Sequence, residues 1–265
     1  MKTGYWVIRT YKAGGIGEKI KYWVPEEKPT RSERRMKAAI KKQEWNESNL
    51  QRRLARKIRA NFSSRDHLVT LSYSEKGLDK LGQGLDVDGI YHAAHHQLRL
   101  WLRRVRGACA KAGVELRYIA ITSDLDAETG ELVRVHHHVI LNAEAAGIAM
   151  KKWTLGGSHK EHLKPEREDP TRHYLAGYLL KQARRLPDEK KYIPSRNLIV
   201  PQPKDRIAAS GAELSVPRGG ELLYRGPYIP GRPQYIIYTL PENEKKAKKT
   251  PPQDSGGVKR DKKRP

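Results

Sequence analysis

Three consecutive histidines, His136, His137 and His138, lie in an apolar run, residues 133–141, that has the composition of a β-strand. Side chains alternate between the two faces of a strand, so His136 and His138 share one face with Arg134, and His137 takes the other. Neutral imidazoles two residues apart on a strand can bind one metal ion side by side. The segment therefore predicts a metal site built on His136 and His138.

A second segment, residues 171–184, carries two tyrosines at helical spacing. Tyr174, Tyr178 and Lys181 follow i, i+4, i+7, so on a helix they form one stripe beside an apolar stripe that faces a core. A tyrosine phenol can act as a nucleophile and form a covalent intermediate. We predict that Tyr174 and Tyr178 are catalytic and that Lys181 stabilises charge on the phosphate or phenolate. The alternative is that both tyrosines are ordinary core or rim aromatics.

A metal ion held by two imidazoles needs further ligands, and catalytic sites normally add a third protein ligand. Asp124, at the end of the preceding strand, is the first candidate, because antiparallel pairing would bring it near the His136 end. Asp126 is the second candidate. We expect a divalent ion, Mg²⁺ or Mn²⁺, that acts as a Lewis acid on a phosphate oxygen.

The order of three segments resembles the three motifs of the HUH endonucleases, specifically the rolling-circle replication initiators of single-stranded DNA phages and related plasmids. The segments are Leu68-Val-Thr-Leu-Ser-Tyr73, His136-His-His138 and Tyr174-x-x-x-Tyr178-x-x-Lys181. The middle position of the histidine motif, usually aliphatic in the family, is His137 here. The resemblance implies an enzyme that nicks single-stranded origin DNA, forms a 5′-phosphotyrosine adduct and rejoins the strands. It also implies an antiparallel palm that presents the histidine pair centrally.

The charge of the chain agrees with a nucleic-acid partner. The 265 residues include 53 Lys and Arg against 30 Asp and Glu, a formal net charge of +23. Such an excess favours a polyanion, and the resemblance implies single-stranded DNA at a replication origin. Residues 31–60 contain no Gly or Pro and predict a long basic helix that either contacts phosphates or is merely solvated. The predicted DNA contacts are Arg52, Arg53, Arg56, Lys57 and Arg134.

Other features of the sequence indicate the cellular compartment and the partner proteins that we expect. One cysteine, Cys109, excludes an internal disulfide and fits a reducing compartment. No apolar run approaches the ~18 residues of a membrane span, and no signal peptide is recognisable. We therefore expect a cytoplasmic protein without a membrane partner. No Walker-type loop is present, so we expect a host helicase to open the duplex and a host polymerase to extend the strand.

The periodicity along the chain predicts an α+β protein. Strand, helix, strand, strand, helix over residues 61–200 is compatible with a ferredoxin- or RRM-like antiparallel sheet with helices on one face, the expected endonuclease domain. Residues 1–60 are expected to form an N-terminal hairpin and the basic helix, and residues 201–241 a small β-rich C-terminal extension. Residues 242–265 have the composition of a disordered basic tail.

Two other function classes fit parts of this pattern. A transposase or relaxase of the same superfamily would use similar chemistry, but a tyrosine pair after the histidines favours a replication initiator. A non-catalytic, basic nucleic-acid-binding protein on an RRM-like sheet would need an aromatic-rich motif, and the only Phe is Phe62. His92, His95 and His96 could bind zinc, but no Cys or acidic partner lies at suitable spacing, so we expect them on the polar side of a helix.

Overall fold

The computed structural model describes residues 3–26, 40–184, 191–242 and 244, and of residues 40–45 only the backbone. These residues form two five-stranded antiparallel sheets and five helices, so the α+β prediction is confirmed. None of the described helices is long and apolar enough to cross a membrane. Residues 31–39 of the basic helix and nearly all of the expected tail lie outside the described residues.

The strands and helices are numbered in chain order. The strands are β1 (Gly4–Ala13), β2 (Ile16–Pro25), β3 (His67–Ser72), β4 (Tyr118–Leu125), β5 (Leu132–Leu141), β6 (Ser158–His162), β7 (Ile193–Pro194), β8 (Lys204–Ala208), β9 (Leu222–Arg225) and β10 (Gln234–Thr239). The helices are α1 (Ile40–Asn61), α2 (Glu75–Asp79), α3 (Val87–Lys111), α4 (Ala143–Lys151) and α5 (His173–Gln182).

The first sheet joins the two ends of the chain in the strand order β8-β1-β2-β10-β9. β1 and β2 form the predicted hairpin, which turns at Gly14 and Gly15; both have the positive φ that glycine tolerates best. β8 pairs with β1, and β10 pairs with β2. The N-terminal hairpin and the C-terminal β-rich segment, which lie far apart in sequence, therefore fold as one sheet.

The second sheet has the strand order β6-β3-β5-β4-β7, with the histidine strand β5 at its centre. From β3 to β6 the chain runs strand, helix, strand, strand, helix, strand, if the short α2 is counted with α3. Every pairing in this sheet is antiparallel. The face that carries His136 and His138 is called the front face here, and the face that carries His137 the back face.

Helices cover both faces of the second sheet, which corrects the prediction of helices on one face only. α3 and α4 pack on the back face, and α1 and α5 pack on the front face. The reason is that the central strands are apolar on both sides: Val139 and Leu141 of β5 are buried at the back, and Ile140 at the front. A strand of this kind needs a packed layer on each face.

Helix α1 lies between the two sheets and has a different surface toward each. Leu54 and Ile58 join the apolar cluster on the front face of the second sheet. Arg56 and Arg59 point the other way and form buried ion pairs with Glu18 of β2 in the first sheet. The basic helix is therefore a packing element, and its arginines hold the first sheet in place.

Candidate metal and tyrosine site

The strand register places the histidine pair at the centre of the front face. Thr70 of β3 and Ile121 of β4 are the cross-strand neighbours of His138, and residues 72 and 123 are those of His136. Cross-strand neighbours share a face, so the predicted separation of His136 and His138 from His137 is confirmed. His138 is buried and His136 half-buried, so His136 is the one nearer solvent.

The ring nitrogens of the two histidines face each other. The two Nε2 atoms are 3.1 Å apart. His136 Nδ1 lies 2.9 Å from the carbonyl oxygen of Arg134, and because a carbonyl only accepts, this nitrogen carries the proton and leaves a lone pair on His136 Nε2. His138 Nδ1 lies 3.2 Å from the Thr70 hydroxyl. Backbone and hydroxyl groups thus orient both rings toward one point.

A third donor atom reaches the same place from helix α5. Gln182 Oε1 lies 3.2 Å from His138 Nε2, and Gln182 is only 4% exposed. The other end of the amide is fixed, because Gln182 Nε2 donates a hydrogen bond to the carbonyl oxygen of Tyr178 at 3.2 Å. Sequence reasoning missed Gln182, although its position four residues after Tyr178 places both on neighbouring turns of one helix.

The two separations that involve His138 Nε2 match the spacing of ligands around a divalent cation. Two atoms bound to one ion at about 2.1 Å, with an angle of about 90–110° between the bonds, lie about 3.0–3.4 Å apart. The nitrogen–nitrogen and nitrogen–oxygen separations of 3.1 and 3.2 Å fall in that range. Imidazole nitrogen and amide oxygen are both metal ligands in proteins. His136, His138 and Gln182 are therefore the residues that would hold the expected ion.

The carboxylate predicted as third ligand is engaged elsewhere. Asp124 follows Ser123, the cross-strand neighbour of His136, as the antiparallel pairing predicts. Its two oxygens are bound by Arg184, with separations of 2.9 and 2.6 Å, and Asp126 caps its own turn. Among the described residues, no three or more His, Cys, Asp or Glu side chains are grouped so as to hold a metal ion. The structure thus brings Gln182, and not Asp124, to the histidine pair.

Burial keeps His138 in its neutral form. Removal from water and, to a lesser extent, the neighbouring His136 lower the pKa of His138 to about 4, and the hydrogen bond with Gln182 opposes the shift. At neutral pH the ring therefore has a free electron pair on one nitrogen. This is the protonation state that a metal ligand needs, because a metal competes with the proton for that pair.

The structure separates the two predicted nucleophiles. The ring of Tyr178 packs against His138, with 5.6 Å between the ring centroids. Tyr174 is 64% exposed, and its ring lies under the ammonium group of Lys164. Lys181 is exposed, one turn beyond Tyr178. Only Tyr178 is thus placed beside the histidine pair.

On the back face, His137 belongs to a buried chain of polar groups. His137 Nε2 lies 2.8 Å from the hydroxyl of Tyr73, and His137 Nδ1 lies 3.2 Å from the hydroxyl of Thr122. The same hydroxyl lies 3.1 Å from His95 Nδ1. His137 therefore points away from the pair as predicted, but its surroundings are not purely apolar. The expectation that His92, His95 and His96 lie on the polar side of α3 is wrong for His95, which is buried and faces Thr122, whereas His92 and His96 are exposed.

The predicted DNA-binding residues of α1 have mostly other partners. The guanidinium of Arg56 is buried against Glu18 and stacks on the Tyr11 ring at 3.8 Å. Arg52 stacks on Tyr235 at 4.3 Å, and Lys57 lies over Tyr192 at 5.4 Å. Of the four predicted residues only Arg53 is exposed. The Arg56 guanidinium therefore faces Glu18 and Tyr11 inside the protein, and a DNA contact through Arg56 stays a prediction.

Arg134 remains at the surface beside the site. It lies on the front face of β5 next to His136, and its guanidinium forms an ion pair with Glu75. Both side chains are more than half exposed, so this pair costs little to open and Arg134 stays available to a phosphate.

Comparison of the chain with protein-family models, with curated proteins and with solved structures found no match. A functional proposal therefore depends on the geometry of the site and on the motifs in the sequence.

Proposed function

We propose that this protein cuts single-stranded DNA through Tyr178, forms a 5′-phosphotyrosine adduct and initiates rolling-circle replication. The observation that carries the proposal is the packing of the Tyr178 ring against His138, whose Nε2 converges with His136 Nε2 and Gln182 Oε1. The ring of a potential nucleophile thus packs on one residue of a potential metal site, and metal-assisted phosphoryl transfer to a tyrosine needs these two groups near each other.

The connectivity of the strands and helices in the second sheet supports the proposed relation to the HUH endonucleases. The run β3, α3, β4, β5, α4, β6 has the connectivity of a ferredoxin-like unit. This is the palm that the resemblance to HUH endonucleases implies, with the histidine pair on its central strand. The first sheet, α1 and α5 are additions to that unit, and α5 supplies both Tyr178 and Gln182.

Each residue has a definite part in the proposed reaction. The Tyr178 oxygen attacks the phosphorus, a phosphorus–oxygen bond to the tyrosine forms, and the bond to the 3′ oxygen of the preceding nucleotide breaks. The phenol loses its proton to water as its oxygen attacks, and the leaving 3′ oxygen takes a proton from water and becomes a 3′-hydroxyl, which can later reverse the step and rejoin the strand. Lys181 and Arg134 add positive charge around the phosphate. A divalent ion held by His136, His138 and Gln182 would supply Lewis acidity at a phosphate oxygen.

A transposase or relaxase of the same superfamily would form a similar adduct, so adduct formation alone does not separate these enzymes from a replication initiator. The order of the motifs favours the initiator. A binding protein without catalysis would bind DNA and form no adduct. The adduct assay therefore distinguishes it from an endonuclease.

The decisive experiment is adduct formation with the full chain. Labelled single-stranded DNA of mixed sequence is incubated with protein and Mn²⁺, denatured in detergent and separated on a gel. We expect a labelled protein band that requires the metal and maps to the peptide containing Tyr178. Tyr178→Phe, which removes one hydroxyl and keeps the ring, should abolish the band. Tyr192→Phe, a half-buried tyrosine on the neighbouring segment, is the matched control and should leave it unchanged.

Two outcomes would overturn the proposal. One is DNA binding by the wild-type protein with no adduct under any divalent metal. The other is attachment of the DNA to a tyrosine outside α5, such as Tyr73 or Tyr192.

A further inference from the structure

Tyr174 lies at the protein surface next to a lysine side chain. Its side chain is 64% exposed, and Lys164 Nζ lies 4.6 Å from the centre of its ring. Helix geometry places it about 6 Å from Tyr178 along the axis of α5. Tyr174 therefore offers an exposed ring, with a cation over one of its two faces, one turn from the proposed nucleophile.

The pair is mounted on a rigid support. Arg172, only 2% exposed, donates a hydrogen bond of 2.6 Å to the carbonyl oxygen of Lys164. Arg172 has a left-handed backbone (φ 55°), an uncommon conformation for a residue other than glycine. Asp169 accepts a hydrogen bond from the backbone N–H of Leu175 at 3.2 Å. These bonds tie the loop that carries Lys164 to the first turn of α5, so the backbones of Lys164 and Tyr174 are held close together.

An exposed ring and an ammonium group at this spacing match the two parts of a nucleotide. Bases stack on aromatic side chains in proteins that bind single strands, largely irrespective of sequence, and lysine contacts the phosphate. The charge agrees, since the chain has a net charge of +23 and the ligand is an anion.

We propose that Tyr174 and Lys164 form a binding subsite for a nucleotide adjacent to the cut phosphate, with the base stacked on Tyr174 and the phosphate at Lys164. Tyr174 is then a binding residue, in place of the second nucleophile that the tyrosine spacing predicts. The identity of the ligand as single-stranded DNA rests on the function proposed above.

The test compares three variants of the full chain by fluorescence anisotropy, with a labelled oligothymidylate as probe. Tyr174→Ala should weaken binding about 5- to 160-fold, the range for loss of one base–aromatic stack. Tyr174→Phe should restore most of that loss, because the ring returns without the hydroxyl. Lys164→Ala should weaken binding and reduce the slope of log affinity against log salt by about one. Tyr228→Ala, a control at a tyrosine that is 72% exposed on the first-sheet side, should bind like the wild type.

A second probe separates stacking from charge. On an oligomer of abasic sites, which keeps the phosphates and lacks the bases, Tyr174→Ala should bind like the wild type, and Lys164→Ala should still be weaker. Wild-type affinity of Tyr174→Ala for oligothymidylate would overturn the inference, and so would an adduct that maps to Tyr174. If the wild type binds with this pattern but forms no adduct, the proposed cleavage fails and the nucleotide subsite stands. If the adduct forms at Tyr178 and Tyr174→Ala binds normally, only the subsite fails.

Discussion

Two buried polar regions lie on opposite sides of helix α1, and they use their polar atoms in opposite ways. Toward the first sheet, the Glu18 carboxylate is held between the guanidinium groups of Arg56 and Arg59, so one negative charge faces two positive charges. Toward the second sheet, the histidine site brings His138 Nε2 together with two other electron-pair donors. Opposite charges that face each other need no bound group, whereas the nitrogen and oxygen atoms of the histidine site can either hydrogen-bond to one another or bind a cation. We therefore expect the ion cluster to matter for folding and the histidine site for the proposed function.

The largest effect should come from removing a donor at the histidine site. His138→Ala should lower adduct formation more than about 100-fold, because loss of a metal ligand exceeds the 10- to 100-fold cost of losing a residue that only orients one. We expect Mn²⁺ to raise the melting temperature of the wild type and not that of His138→Ala, since only a folded state with a binding site is stabilised by the ion. Single-stranded DNA affinity should be largely retained.

His159→Ala is the matched control, because His159 is an exposed histidine on β6 of the same sheet. If Mn²⁺ still raises the melting temperature of His138→Ala, the metal binds elsewhere. The assignment of metal binding to the histidine site would then be wrong.

The next effect concerns the ion cluster between α1 and the first sheet. Glu18→Gln removes the carboxylate that faces Arg56 and Arg59 and leaves two buried cations without it. We expect the free energy of unfolding, measured with urea, to fall by about 3–5 kcal/mol. Adduct formation per folded molecule should change little.

Arg53→Gln is the surface counterpart on the same helix. Because Arg53 is exposed, its replacement should change stability by less than about 0.5 kcal/mol. It should reduce the salt slope of DNA binding by about one if this part of α1 contacts phosphates.

For Glu18→Gln, a large loss of adduct formation in folded protein would contradict the expectation. It would show that the ion cluster and the histidine site are coupled.

A smaller effect is expected on the back face of β5. The sequence alone suggests that His137→Val is tolerated, because the side chain leaves the metal face. The structure shows that His137 pairs with the buried Tyr73 hydroxyl and with Thr122, so valine leaves these groups without that partner. Urea unfolding should show a loss of about 1–3 kcal/mol, with metal binding retained. Unchanged stability would mean that Tyr73 and Thr122 find other partners.

The smallest effect is a dependence on pH at the first turn of α5. Burial, with smaller contributions from Arg59 and Arg52, lowers the pKa of His173 to about 4, and Glu18 opposes the shift. Its Nε2 is buried with no hydrogen-bond partner. The unfolded chain then binds a proton more readily than the folded one, so the contribution of neutral His173 is complete above about pH 6.5 and declines as the pH falls toward 4.

The measurement is the difference in unfolding free energy between the wild type and His173→Gln at several pH values. That difference should be constant above pH ~6.5 and should shift against the wild type below it. A constant difference down to pH ~4 would show that His173 is more solvated than its position between α1 and the first sheet implies.

Much of this architecture could be predicted from local patterns in the sequence. Alternation in residues 133–141 separates His137 from its two neighbours, and the register of β5 confirms that separation. Helical spacing in residues 171–184 predicts α5, and the observed helix is slightly shorter, from His173 to Gln182. Strand and helix periods are properties of the backbone itself, so they appear in the sequence without knowledge of any partner.

Other features depend on packing between distant segments. Periodicity does not reveal that Arg184 takes Asp124, that Gln182 reaches His138, or that Arg56 turns inward to Glu18. Nor does it reveal that β8, β9 and β10 complete a sheet begun by β1 and β2. A basic helix that could bind DNA and one that could clamp a buried carboxylate have the same local sequence pattern.

The sequence by itself therefore determined which residues could do chemistry: the histidine pair, the tyrosine stripe and the face each would occupy. Only the tertiary structure decided which of them meet, placing Tyr178 against His138 and leaving Tyr174 exposed beside Lys164. The physical reason is that local periodicity orients a side chain relative to its own backbone. Its partner is chosen by how helices and sheets pack, and that depends on apolar contacts across the whole chain.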